Sequence, residues 1–214
     1  MNYISHHEVA RQYDPAASPD FLFGAFVSDL ARISQTKRFR EGLTNTELLA
    51  GIDFHYLTNT TFDKLPAISQ IGEDMRAAFK EFLPDHTAGQ SANAGKDLMF
   101  DGIQLSKPHV IEALFNTLDS VLAGEIEFTG IERPQAIIDV ATYIRSNGPP
   151  RYDNPEVLAL VLQRTLSNYR AKLPDESLAG VAKVFETYQS TVFEIGPLAM
   201  SQTIENLKNY DLAS

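Results

Sequence analysis

Cysteine and tryptophan are both absent from the 214-residue chain. Without cysteine there can be no disulfide framework, thiolate zinc site, iron–sulfur cluster or cysteine nucleophile, a pattern that fits a cytoplasmic protein. Basic residues are in deficit. With 18 Lys and Arg against 28 Asp and Glu, the formal net charge is −10, which argues against nucleic acid as a partner because phosphate binding needs a basic surface. No apolar run approaches the ~20 residues that span a bilayer, so no membrane partner is expected. Residues 1–8 combine no basic lead with no continuous apolar stretch, so they do not read as a secretory signal. Neither Gly-x-Ser-x-Gly, nor a phosphate-binding glycine loop, nor His-Glu-x-x-His occurs. The hydrolase, nucleotide-binding and zinc-protease classes built on those motifs lose support accordingly.

What is present is helical patterning punctuated by proline and glycine. Ser18-Pro19-Asp20 has the form of an N-cap followed by proline at the first helical position, opening a helix through Phe23, Phe26, Val27 and Leu30. Thr44-Asn45-Thr46-Glu47 has capping-box spacing and opens a helix to about Phe62. Pro66 opens a third, ending near Leu83. The small and polar residues from Asp85 to Gly95 read as a flexible connection before a helix over 96–105. Further helices are expected over 108–123, 134–145, 155–172 and 174–207, the last bent at Gly196-Pro197. Residues 125–130 are a candidate short strand, and 147–151 the best linker, but the later helices are expected to complete one bundle. The prediction is an all-α chain with one domain over 1–214.

Several polar residues interrupt this pattern. His55, Asn59 and Asp63 follow one another at four-residue steps, Asp29 sits inside an apolar run, and Asp101 follows Leu98-Met99-Phe100. On a helix His55 and Asn59 lie about 6 Å apart and about 40° around the axis, whereas Asp63 lies about 12 Å away and suits a supporting or helix-end role. Together with His6 these residues suggest a buried cluster of metal-ligand type. Imidazole and carboxylate without sulfur favour manganese, iron or magnesium over structural zinc, with hydrolysis as the expected chemistry. Spacing alone favours the plainer reading: a hydrogen-bonded core histidine at 55, a packing amide at 59 and an N-terminal or surface carboxylate at 101. His86 and His109 read as solvated, and the aromatic residues of the last helix, including Phe185, Tyr188 and Phe193, as core with a lipid or pantetheine groove as the sharper alternative. Arg32, Lys37, Arg38 and Arg40 form the densest basic group, ordinarily a solvated loop.

Four separated segments resemble the acyl carrier protein phosphodiesterase (acyl carrier protein hydrolase) family, helical relatives of the HD-type metal phosphohydrolases. Met1-Asn2-Tyr3-Ile4-Ser5-His6 resembles that family's Met-Asn-Phe-Leu-Ala-His, and Gly24-Ala25-Phe26-Val27-Ser28-Asp29 its Gly-Asn-Leu-Leu-x-Asp. Gly51 through Pro66 resembles Gly-x-x-x-His-Arg-x-Ile-Asp-x-x-Thr-Asp-x-x-Pro, and Asp97-Leu98-Met99-Phe100-Asp101 resembles Asp-x-x-x-Asp-His. The resemblance implies an HD-like helical bundle with His6, Asp29, His55 and Asp101 around a divalent ion such as manganese. It implies catalytic roles for Asp29, His55 and Asp101, with Asp63 in support. The implied reaction releases 4′-phosphopantetheine from holo acyl carrier protein or cleaves a small phosphodiester. Three departures stand at motif positions: Tyr56 for arginine, Asn59 for aspartate and Gly102 for histidine. An arginine pair before Asp97 is also missing. These departures imply the alternative of a degenerate relative that binds a ligand or protein partner without catalysis.

Overall fold

The computed structural model describes residues 1–36, 42–127, 130–167 and 171–211. Among them are nine α-helices and no strand: α1 (Tyr3–Tyr13), α2 (Pro19–Ile33), α3 (Thr46–Asp63), α4 (Pro66–Lys80), α5 (Asp85–Leu105), α6 (Pro108–Leu122), α7 (Pro134–Asn147), α8 (Pro155–Ser167) and α9 (Leu178–Asp211). Five of these helices open on proline, whose fixed φ suits the first turn and whose missing N–H costs nothing there. Ser18 caps α2 by accepting from the Phe21 N–H. At α3 the cap is Asn45, which accepts from the Leu48 N–H, rather than Thr44.

Larger sequence expectations fail as well. Residues 85–95 are not a connection but the first half of α5. Its inward positions carry Ala88, Ser91, Ala92 and Gly95, and a Cβ at Gly95 would lie 2.6 Å from the Phe185 ring. Small residues that signal a loop by composition here let a helix lie close to its neighbours. The other miss is α1, a helix buried from Tyr3 through Ala10 despite its two histidines and a glutamate. The candidate strand at 125–130 is not a strand where described; 128 and 129 lie outside the described residues, as do Lys37, Arg38 and Arg40.

α1 is the central element, packed against α2, α3, α5, α6 and α9. α7 packs on α2 and α6, and α8 on α5 and α9, so the second half closes over the first without a separate core. Phe23, Phe26, Phe62, Phe79, Phe100 and Phe185 are fully buried, so Phe185 is core. Tyr188 packs against that core, while Phe193 stays 37% exposed.

The polar residues of α1 are accommodated by specific partners. Glu8 accepts from Arg11 and Gln12, and His7 Nε2 lies 3.0 Å from Thr117 Oγ1. Burial lowers the His7 imidazole to about 4, the Glu8 charge opposing and Arg11 assisting. The unfolded chain, with an ordinary His value near 6.5, therefore binds more protons between those values, and the contribution of neutral His7 is lost as pH falls. Denaturant unfolding of wild type and His7→Gln between pH 7 and 4.5 should show the wild-type advantage shrinking by about 2 to 3 kcal/mol. A pH-independent difference would mean that His7 is not held neutral.

Candidate metal centre

Three helices bring His6, Asp29 and His55 together. Asp29 sits on the inward face of α2 between Phe26 and Leu30 and is 2% exposed, with His6 at 1% and His55 at 2%. Their candidate ligand atoms all lie within 4.8 Å of one another. A buried carboxylate must be compensated, and Asp29 is: Oδ2 lies 2.8 Å from His6 Nδ1, and Oδ1 accepts from the Arg32 guanidinium at 3.1 Å. Burial alone would raise the Asp29 pKa, but the neighbouring His6 and His55 rings and the Arg32 guanidinium outweigh it and hold the carboxyl well below its usual range.

His55 is oriented by donating from Nδ1 to the Ala25 carbonyl at 2.9 Å. This arrangement leaves Nε2 unprotonated, the usual way a protein presents an imidazole to a metal. Burial, reinforced by the neighbouring His6 charge and opposed by Asp29, lowers His55 to about 3. The ring is neutral at physiological pH.

Asn59 links the two rings, which lie 4.0 Å apart between centroids. Its Oδ1 faces His6 Nε2 and the amino group of Met1, each at 3.1 Å, while Nδ2 faces His55 Nε2 at 3.2 Å. The reverse amide orientation would point the NH2 at the Met1 amine and its oxygen at a lone pair, so the neighbours fix the assignment. Both His6 nitrogens then face oxygen atoms, Nδ1 that of Asp29 and Nε2 that of Asn59.

Asp101 is fully buried but faces other partners. It accepts from the backbone N–H groups of Ile4 and Ser5, at 3.2 and 2.9 Å, and so caps the N-terminus of α1, where the Asn2 side chain makes no cap. Burial raises it to about 7, the α1 hydrogen bonds opposing and the Asp29 charge assisting. It lies outside the three-residue ligand group. Asp63, the last residue of α3, is 48% exposed and pairs with Lys96 at 2.6 Å. The structure thus brings together three of the four expected ligands, gives the fourth a capping role, and places Asp63 in a separate ion pair.

Gly102 marks a further departure. A Cβ there would stand 2.7 Å from the Tyr152 carbonyl oxygen, so the loop between α7 and α8 fills the space that a side chain at 102 would need. Sequence reasoning grouped Arg32 with a basic loop rather than with Asp29, and missed Lys96 as the partner of Asp63. Arg32 was legible as an i, i+3 partner of Asp29; Lys96, buried over the Phe62 ring, carried no comparable signal.

By donor type, two imidazoles and a carboxylate suit a first-row divalent ion, as in sites that keep open positions for substrate. An ion there would have to displace the Asn59 amide from both rings. Comparison with protein-family models, with curated proteins and with solved structures found no match to this chain.

Proposed function

We propose that the chain is an acyl carrier protein phosphodiesterase-like, metal-dependent hydrolase of phosphodiesters, acting on holo acyl carrier protein or on a substrate that has drifted from it. The observation that carries this reading is the convergence of His6, Asp29 and His55, from α1, α2 and α3, on one buried point. Those three residues would hold the ion, with manganese favoured and iron or magnesium as alternatives. A bound divalent ion supplies an activated water and polarises a phosphoryl oxygen. The chain's own residues hold and orient: Arg32 braces the Asp29 carboxylate, Ala25 fixes the His55 ring, and Asp101 anchors the turn of α1 that carries His6.

A second reading, a non-catalytic relative, is favoured by Asn59. Its amide donor occupies the His55 lone pair that a ligand would use. The readings separate experimentally. In the first, manganese-loaded protein hydrolyses bis(p-nitrophenyl) phosphate or holo acyl carrier protein, and His55→Ala lowers turnover at least 100-fold. Asn59→Asp, which removes the donor and adds a carboxylate, should tighten manganese binding about tenfold. Turnover no greater than that of His55→Ala, with no manganese bound by wild type, would eliminate the hydrolase reading.

A further inference from the structure

A cavity of about 510 Å³ lies between the start of α1, the end of α2, the middle of α5 and the α7–α8 pair. This is the size of small-molecule sites, roughly 300 to 1,000 Å³. It is not lined by α9, where the sequence suggested a groove. Its walls are mainly apolar: Leu98, Val140, Ile144, Tyr152 and Val161. Two large hydrophobic side chains on its lining stay open to solvent, Ile33 at 42% and Tyr143 at 62%.

The polar groups on this lining differ in how they are compensated. Asp97 lies 2.9 Å from the Met1 amine and 3.8 Å from Lys96. Asp139 is exposed and accepts from Gln135 along α7. Arg32 is braced by Asp29 and Asn2. Arg164 is exposed on the lining and has no ion-pair partner among the described residues. Inside, Tyr3 is 1% exposed and its hydroxyl faces that of Tyr152.

We infer that this cavity binds a small amphipathic monoanion, a free carboxylate with an aliphatic or aryl body. The carboxylate pairs with Arg164, and the body lies among the α5, α7 and α8 side chains. Arg32 both lines the cavity and holds Asp29, so a ligand here sits beside the candidate centre. Its binding does not depend on a metal.

The test uses the full chain in the presence of EDTA, with anilinonaphthalene sulfonate as the fluorescent probe displaced by decanoate or by neutral decanol. Decanoate should displace the probe at roughly fivefold lower concentration than decanol, the advantage that an exposed charge contact supplies. Arg164→Glu, a surface change that leaves folding intact, should erase that advantage without altering decanol. Val161→Trp, checked for an unchanged unfolding midpoint, should weaken both ligands by filling the cavity. Equal displacement by the two ligands in wild type, or an advantage that survives Arg164→Glu, would overturn the assignment. So would a failure of both to bind. Because no metal is present, these outcomes are independent of the hydrolase reading.

Discussion

Asp29→Ala should lower stability by about 3 to 5 kcal/mol, because it leaves the buried His6 ring and the partly buried Arg32 guanidinium without their common partner. For a chain of this length that corresponds to a melting point lower by about 10 °C, measured by calorimetry or circular dichroism. The size follows from the asymmetry of buried pairs: a complete pair is nearly neutral against its desolvation cost, whereas half a pair has that cost uncompensated. The same carboxylate sets an acid limb. Its folded pKa lies below the unfolded value of about 3.9, so its contribution is complete above that pH and is lost as pH falls through the folded value. Asp29→Ala should therefore flatten the loss of stability below about pH 4. A variant within 1 kcal/mol of wild type would show that the His6 and Arg32 contacts contribute nothing net.

Much of this arrangement was legible in the sequence, and the misses share a physical cause. Proline at the first helical position and the Ser18 cap located helix starts because they act through backbone geometry, which is local. Asp29 and His55 stood out because a polar residue in an apolar helical stripe needs a reason. α1 was invisible because, Glu8 apart, its buried polar groups meet partners distant in sequence: His7 meets Thr117, and the α1 N-terminus Asp101. No local pattern encodes such a partner. Asp101 was legible as a buried carboxylate but not as a helix cap, since capping is normally sought in residues adjacent to the helix it serves. The first half of α5 failed for the complementary reason, small residues serving close packing rather than flexibility. Asn59 was noticed as a substituted ligand, yet its bridging of His6 and His55 depends on an amide orientation that only the three-dimensional neighbours fix.

The glycines in the resembling segments have a structural explanation of their own, and it yields the second large effect. Gly24 and Gly51 lie where α2 and α3 cross: a Cβ on Gly51 would stand 2.2 Å from the Phe21 carbonyl oxygen, and one on Gly24 would stand 2.4 Å from that of Leu48. In an ordinary helix interior, Gly→Ala gains about 1 kcal/mol from propensity. At this crossing the obstacle is backbone, which cannot rotate aside, so the two helices must separate, and overpacking of this kind costs about 1 to 3 kcal/mol or more. The clash should prevail, with Gly51→Ala less stable than wild type by about 2 kcal/mol. Gly72, on α4, is the matched control: nothing lies within 4 Å of its added Cβ, so Gly72→Ala should gain up to about 1 kcal/mol. Since the same crossing sets Asp29 against His55, Gly51→Ala should also weaken manganese binding, whereas Gly72→Ala should leave it unchanged. If both alanine variants proved equally stable by denaturant unfolding, the close approach of α2 and α3 would be wrong, and with it the geometry that brings the carboxylate of one helix to the imidazole of the other.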